Sequence, residues 1–172
     1  MAELAALQKY QPCLLDRLCD EEPDRKVESS SQRVVPLSRY KNGVLRDIQW
    51  LLNTSAHVPD PDDEFDLSNL PLASRSVVNF GMRNMSGLVA ASLDANEMER
   101  RLIDAIERFE PRINRRSLRI KTITDPAQAG PNTIAFEISG ELWADPMPQH
   151  LMFKTKIDLE TGQCLGDRPD GS

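Results

Sequence analysis

The sequence predicts an α+β domain in which N-terminal helices pack on a small antiparallel sheet of three strands. A helical apolar stripe of Met98, Leu102, Ala105, Ile106 and Phe109 stops at Pro111, and beyond it apolar residues recur at every second position. The late connections, DPAQAGPN and ADPMPQ, are short and rich in Pro, Gly, Asn and Asp, which suits hairpins better than parallel crossovers.

The first twenty residues place Leu4, Leu7, Leu14, Leu15 and Leu18 at near-helical spacing, broken by Pro12, before a polar tract from Asp20 to Gln32. This reads as a short helix and a flexible connector over residues 1–32, ahead of a single domain at 33–165 and a disordered tail at 166–172. From Ser38 to Asn53, Val44, Leu45, Ile48, Leu51 and Leu52 follow the i, i+3, i+4, i+7 rule of an amphipathic helix, with Ser38 placed to cap it. Asn42-Gly43 blurs the start of that helix. Residues 56–66 carry Asp60, Asp62, Asp63, Glu64 and Asp66 among prolines with no Lys or Arg, the composition of a loop. A second helix is expected from Pro71, a residue suited to the first helical position, to Gly81, with Ala73, Val77 and Phe80 on one face. Asn84 to Gly87 reads as a turn.

The best-defined helix runs from Leu93 to Phe109, where Asp94 and Glu97 resemble a capping box. Pro111 forces Glu110 toward extended geometry, so the helix must stop there. In the first strand, Leu118 and Ile120 alternate with Arg119 and Lys121. In the second, Ile134, Phe136, Ile138 and Leu142 face one way, and Thr133, Ala135, Glu137, Ser139 and Glu141 the other. The third sets Leu151, Phe153, Thr155, Ile157 and Leu159 against Met152, Lys154, Lys156 and Asp158.

With 172 residues and 40% of them hydrophobic, the chain can close one modest core. No run of about 18 apolar residues exists, and MAELAALQKYQPCLL lacks the uninterrupted apolar stretch of a signal peptide, so neither membrane insertion nor general secretion is expected. Cys13, Cys19 and Cys164 are odd in number with no Cys-x-x-Cys pair, which suggests neither a disulfide framework nor a zinc clip and fits a reducing cytoplasm. His57 and His150 sit apart in proline-bounded polar stretches, so a metal site or a His-based triad has no obvious parts. No catalytic, metal or cofactor-binding residue is nominated.

Net charge is −6, against general nucleic-acid or membrane-surface binding. Residues 100–121, however, hold eight bases and three acids, a net of +5 that leaves −11 for the rest of the chain. Such a band is either a solvated helix face or a docking surface for an acidic partner, and charge alone does not decide. Glu110-Pro111-Arg112 breaks a local rule, because a carboxylate at the negative end of a helix dipole is disfavoured by roughly 0.3–1 kcal/mol when exposed. Arg112 can form an internal pair with it, worth almost nothing if solvated, or other proteins can grip the pair.

Four segments, RDIQWLLNT (Arg46 to Thr54), SVVNFGM (Ser76 to Met82), IERFEPR (Ile106 to Arg112) and the late ISGELW with DLETGQ, resemble in this order the TssE family of type VI secretion baseplate subunits. That family is homologous to a wedge subunit of contractile phage tails with a historical lysozyme-like label. The likeness spans roughly residues 14–165, and it departs from the commoner pattern at Ser55, where an Arg usually follows Asn-Thr. It implies a structural protein, not an enzyme, in the cytoplasm and at the cytoplasmic face of the inner membrane once assembled. It implies TssF, TssG and TssK as partners, and the sheath proteins TssB and TssC. It assigns assembly and sheath contact to Glu110, Pro111 and Arg112, with a wedge-contact role for Arg46 and Asp47 beside the plainer reading of an exposed helix pair. Arg115, Arg116 and Arg119 are either solvated or partner-facing. A displaced Glu110 would be fixed by charge-assisted hydrogen bonds to a partner, and an open sheet edge would accept a sheath strand.

The lysozyme-like label raises the rival of a muramidase using two carboxylates such as Glu110 and Glu137, against which stand 5% aromatic residues and no route to the cell wall. Nucleic-acid binding through residues 108–121 lacks interleaved stacking aromatics. Trp50 and Trp143 read as packing residues, or as residues of a partner pocket if partly exposed.

Overall fold

The computed structural model describes residues 10–19, 24, 35–57, 67–82, 94–123, 132–144 and 147–166. Tyr10 and Val35 exchange two backbone hydrogen bonds (3.1 and 2.8 Å), and Tyr10 stacks on Tyr40 with ring centroids 5.4 Å apart. Between these anchors lies α1 (Leu14–Leu18), which starts just after Pro12. Helix α2 (Leu37–Asn53) buries Tyr40, Val44, Ile48, Leu51 and Leu52. Its N-cap is Pro36 rather than Ser38, because the proline holds an extended ψ of 159° and lets the helix start at the next residue. Gly43 does not weaken the start; α1 crosses there, and a Cβ at this position would lie 3.2 Å from Asp16 Oδ2.

The helix expected from Pro71 to Gly81 is broken. Pro71 does take the first position of α3 (Pro71–Ser74), but α3 ends at Arg75 and a separate 3₁₀ turn covers Val77–Asn79. Ser76 breaks it, donating its hydroxyl to Ala73 O (2.8 Å) and accepting from Val78 N–H (3.3 Å), local bonds that compete with helix continuation. Val77 is consequently 79% exposed instead of facing inward. Phe80 does turn inward and meets Phe109 edge-on at 5.2 Å.

Helix α4 (Ala95–Phe109) ends where Pro111 requires, and Asp94 accepts from Asn96 N–H at 2.9 Å. Only half of the capping box forms, since Glu97 pairs with Arg101 one turn on. Met98, Leu102, Ala105 and Ile106 are buried as the stripe predicts. Leu93, the acidic residues 58–66, the turn at 84–87 and most of the connector lie outside the described residues.

The sheet has four strands, not three: β1 (Arg119–Ile123), β2 (Thr133–Leu142), β3 (Gln149–Asp158) and β4 (Cys164–Gly166), antiparallel in the order β1-β2-β3-β4. The meander is as expected; β4 escapes a periodicity reading because three residues show no alternation. Gly166, assigned to the tail, is the last residue of β4. Helices α2 and α4 cover one face, α4 against β1 and α2 against β4, over a core that includes Phe136, Ile138, Leu142 and Ile157. Ala135 faces the other way and is buried nonetheless, in register between Ile123 and Lys156.

Both edges of this sheet are stapled to helices. Glu99 Oε1 accepts from Thr122 N–H (2.7 Å) and its hydroxyl (2.9 Å) on β1. On β4 the Asn53 amide accepts from Cys164 N–H (2.8 Å) and donates to Cys164 O (3.0 Å), as a neighbouring strand would. The expected open edge is thus occupied at these points, and an arriving strand has to displace a side chain.

Burial pushes the Cys164 thiol up to about 11, partly offset by its contact with the Thr155 hydroxyl. Alkylation at pH 8 should therefore modify exposed Cys19 and half-buried Cys13 first, with Cys164 protected until denaturant is added. Peptide mass mapping against time checks the order; early loss of the Cys164 thiol would contradict it.

Candidate functional site

Pro111 ends α4 and turns Glu110 into its C-cap (φ −118°, ψ 78°), with Glu110 N–H still bonded to Ile106 O at 2.8 Å. The Glu110 side chain folds inward and is 4% exposed. Its Oε1 accepts from Arg112 N–H (3.1 Å) and Arg112 Nε (2.7 Å), while Arg112 Nη2 bonds both Glu110 Oε2 and Asp47 Oδ2, the latter at 2.7 Å. A bidentate guanidinium thus offsets the unfavourable dipole at the helix end. Of the two readings the sequence left open, an internal pair and a pair for other proteins to grip, the described contacts are the internal one, with both carboxylate oxygens of Glu110 engaged within the chain.

The line continues across α2. Asp47 Oδ1 accepts from Arg46 Nε (3.0 Å) and Nη2 (2.8 Å), and Arg46 Nη1 reaches Asp16 Oδ1 on α1. The Cys13 thiol donates to Asp16 Oδ2 at 3.0 Å, and the Arg46 guanidinium lies 4.9 Å from the Trp50 ring centroid. Arg46 and Asp47 are therefore links of an internal network rather than an isolated helix pair. Glu110, Arg112, Asp47, Arg46 and Asp16 alternate in sign and tie three segments far apart in sequence. The same junction is fixed to the residue just after β2, Trp143, whose N–H donates to Arg112 O (2.7 Å) and whose carbonyl accepts from Tyr40 OH on α2 (3.1 Å).

Hydrogen bonding to Asp16, helped by Asp47, holds the Arg46 guanidinium above its ordinary value. Burial alone would lower that of Arg112, but the paired Glu110 and Asp47 raise it. For Asp16, burial pushes the carboxyl up while Arg46 and Cys13 pull it down, and the result lies below the usual 3.8. A depressed carboxyl stabilises the fold above its unfolded value, and that contribution fades as pH falls through the folded value. Acid titration should therefore free α1 from α2 only below about pH 4. Trp50 emission, read in a Trp143→Phe background, should shift red there, and an Asp16→Asn chain should show the shifted spectrum already at neutral pH. A native spectrum for that variant would remove Asp16 from the network.

Beside the junction opens a groove of about 430 Å³. Leu15, Trp50, Leu51, Phe80, Phe109 and Pro111 wall it, and Asp47, Glu110 and Arg112 border it. Trp50 is half exposed here, and the side chain of Arg112 is 21% exposed. Arg115 and Arg116, in the turn before β1, and Arg119, on β1, are exposed, and none bonds to the ionic line among the described residues. Arg119 Nη1 instead caps Arg116 O (3.0 Å) and Leu118 O (2.7 Å). Sequence reasoning missed Asp16 and Cys13, since no local pattern ties them to Arg46 some thirty residues away. Of the two carboxylates of the rival muramidase reading, Glu110 is locked to Arg112 and Glu137 lies in register between Lys121 and Lys154.

A meander sheet backed by two helices, with a line of ion pairs beside an apolar groove, defines an α+β module. The chain belongs to the family described as baseplate wedge protein gp25, whose model matches residues 38–147, more than half of its length. This is the family of the TssE subunits, so a structural role in a contractile-tail baseplate, among other baseplate proteins, follows. No curated protein and no solved structure matches the chain. No helix among the described residues is long and apolar enough to cross a membrane.

Proposed function

We propose that this chain is a wedge subunit of a type VI secretion baseplate, assembled at the cytoplasmic face of the inner membrane with TssF, TssG and TssK and set against the first ring of TssB/TssC sheath. The observation that carries this reading is the Glu-Pro-Arg junction beside the groove. Glu110 acts from inside: it fixes Arg112, and with it the position of Pro111 and Phe109 in the groove wall. What a partner meets is the product of that clamp, an apolar slot with a half-exposed tryptophan at its lip and a guanidinium at its border. Aromatic and arginine residues around a preformed pocket are the usual anchors of protein interfaces.

Trp50→Ala tests the slot without touching the buried pair. Co-expressed with TssF and TssG, the variant should keep its unfolding midpoint yet lose at least about tenfold of the wedge recovered, the size of a lost interface anchor. Recovery equal to the native chain would rule the groove out as a wedge contact.

A further inference from the structure

Helix α1 has five residues and buries none of them. So short a helix does not hold itself in water, and its contacts with α2 must keep it in place. Asp16 pairs with Arg46, and Arg46 Nη2 reaches Cys13 Sγ at 3.4 Å. Both side chains of the ion pair meet solvent, 34% exposed for Arg46 and 20% for Asp16, and pairs of that kind are weak. Leu14 and Leu18 point outward and add nothing to the hold. The bridge between Tyr10 and Val35 closes the chain on either side of α1, so the helix can shift while the core at Tyr40 stays shut. Yet Cys13 and Leu15 are part of the groove wall. One wall of the groove is therefore fastened far more weakly than Phe80, Phe109 and Pro111 opposite it.

We propose that α1 is a strap that keeps the groove narrow in the free chain and lifts to admit the wedge partner, with the Asp16–Arg46 pair as its catch. This rests on the groove being the wedge contact. Lifting strands no charge on α2, because Arg46 keeps Asp47 as its acid and Asp16 passes into water. It uncovers Gly43, where α1 now crosses and where the missing side chain lets a partner's backbone come close. A strap and a fixed wall respond oppositely to loosening. A chain that binds only from a minor open state binds better when that state is made commoner, whereas a wall that the partner needs binds worse when it is freed.

A reversible lock tests this. Asp16 Oδ2 lies 3.2 Å from a Cβ built on Gly43, so Asp16→Cys with Gly43→Cys sets two thiols within reach of a disulfide across α1 and α2. Cys13→Ser and Cys19→Ser remove the competing thiols, and serine suits the N-cap that Cys13 occupies. Mixed with purified TssF and TssG, the oxidised chain should yield at least about tenfold less wedge than the same chain reduced, and Asp16→Asn in the otherwise native chain should associate about tenfold faster than the native one. Equal or greater recovery from the oxidised chain would overturn the strap. Were both redox states to fail, Asp16→Asn decides alone: faster association supports the strap, and unchanged or slower association overturns it. Trp50→Ala in the same assay keeps the two readings apart. A lock without effect beside a Trp50→Ala loss sinks the strap only, while native recovery with Trp50→Ala sinks the groove reading itself.

Discussion

Glu110→Ala should destabilise the domain by about 3 kcal/mol, the order of loss seen when one partner of a buried ion pair is removed. The substitution deletes the acceptor of Arg112 N–H, Nε and Nη2 at once and leaves a largely buried guanidinium with Asp47 as its remaining acid. For a domain of ordinary stability that is a large share of the total. Replacing both partners, as Glu110→Leu with Arg112→Leu, should recover most of the loss, because burying two matched apolar groups avoids the unpaired charge, and Asp47 keeps Arg46. Urea unfolding of the three chains decides. If the single change costs less than about 1 kcal/mol, the pair is no stronger than a solvated one and the clamp does not exist. Alanine at Glu110 would also be expected to lower wedge recovery, and the double variant separates the causes: recovery that returns with stability marks Glu110 as architectural.

What the chain reveals before folding depends on how local the cause is. Pro111 stops α4 through its own ring, and the 2-residue period of β2 and β3 is set by the pleat, so these were legible residue by residue. The break at Ser76 is local too, yet its side-chain bonds compete with a helix of comparable free energy, which pattern counting does not resolve. The basic band at 100–121, which the sequence leaves open as a solvated face or a docking surface, is not one surface in the fold. Arg101, Arg108 and Arg112 are each bonded to an acid, Glu97, Asp104 and Glu110, so apart from exposed Arg100 the band's exposed positive character lies after the junction. The Asp16–Arg46 link and the Asn53 staple on Cys164 arise from tertiary proximity alone. Within the candidate site, the sequence located the motif and the fold supplied its direction: inward for Glu110, toward the groove for Pro111.

Gly81→Ala should produce a loss of similar size by a different route. Gly81 adopts φ +127°, a conformation that L side chains rarely take. A methyl there would lie 2.8 Å from the Thr54 carbonyl carbon and 2.9 Å from Ala56 N, and closer still to Thr54 O, all of them backbone that cannot swing aside. Relief requires that the parallel bridge between Ser55 and Met82 open, with the bonds from Met82 N–H to Thr54 O (2.8 Å) and from Ala56 N–H to Met82 O (3.0 Å). Backbone strain of about 1–3 kcal/mol plus two hydrogen bonds at about 1 kcal/mol each sets a loss of about 3–5 kcal/mol. Unlike the Glu110 change, this one is concentrated in a segment, so it should appear as local opening before global unfolding. Amide exchange at Ala56 and Met82 should accelerate about 100-fold while the β2–β3 amides keep their protection. Because Phe80 is the neighbour of Gly81 and walls the groove against Phe109, wedge recovery should fall with it even where the ionic line stays intact. Unchanged exchange at Met82 would mean that the backbone absorbs the methyl elsewhere, and the groove wall would then not depend on this glycine.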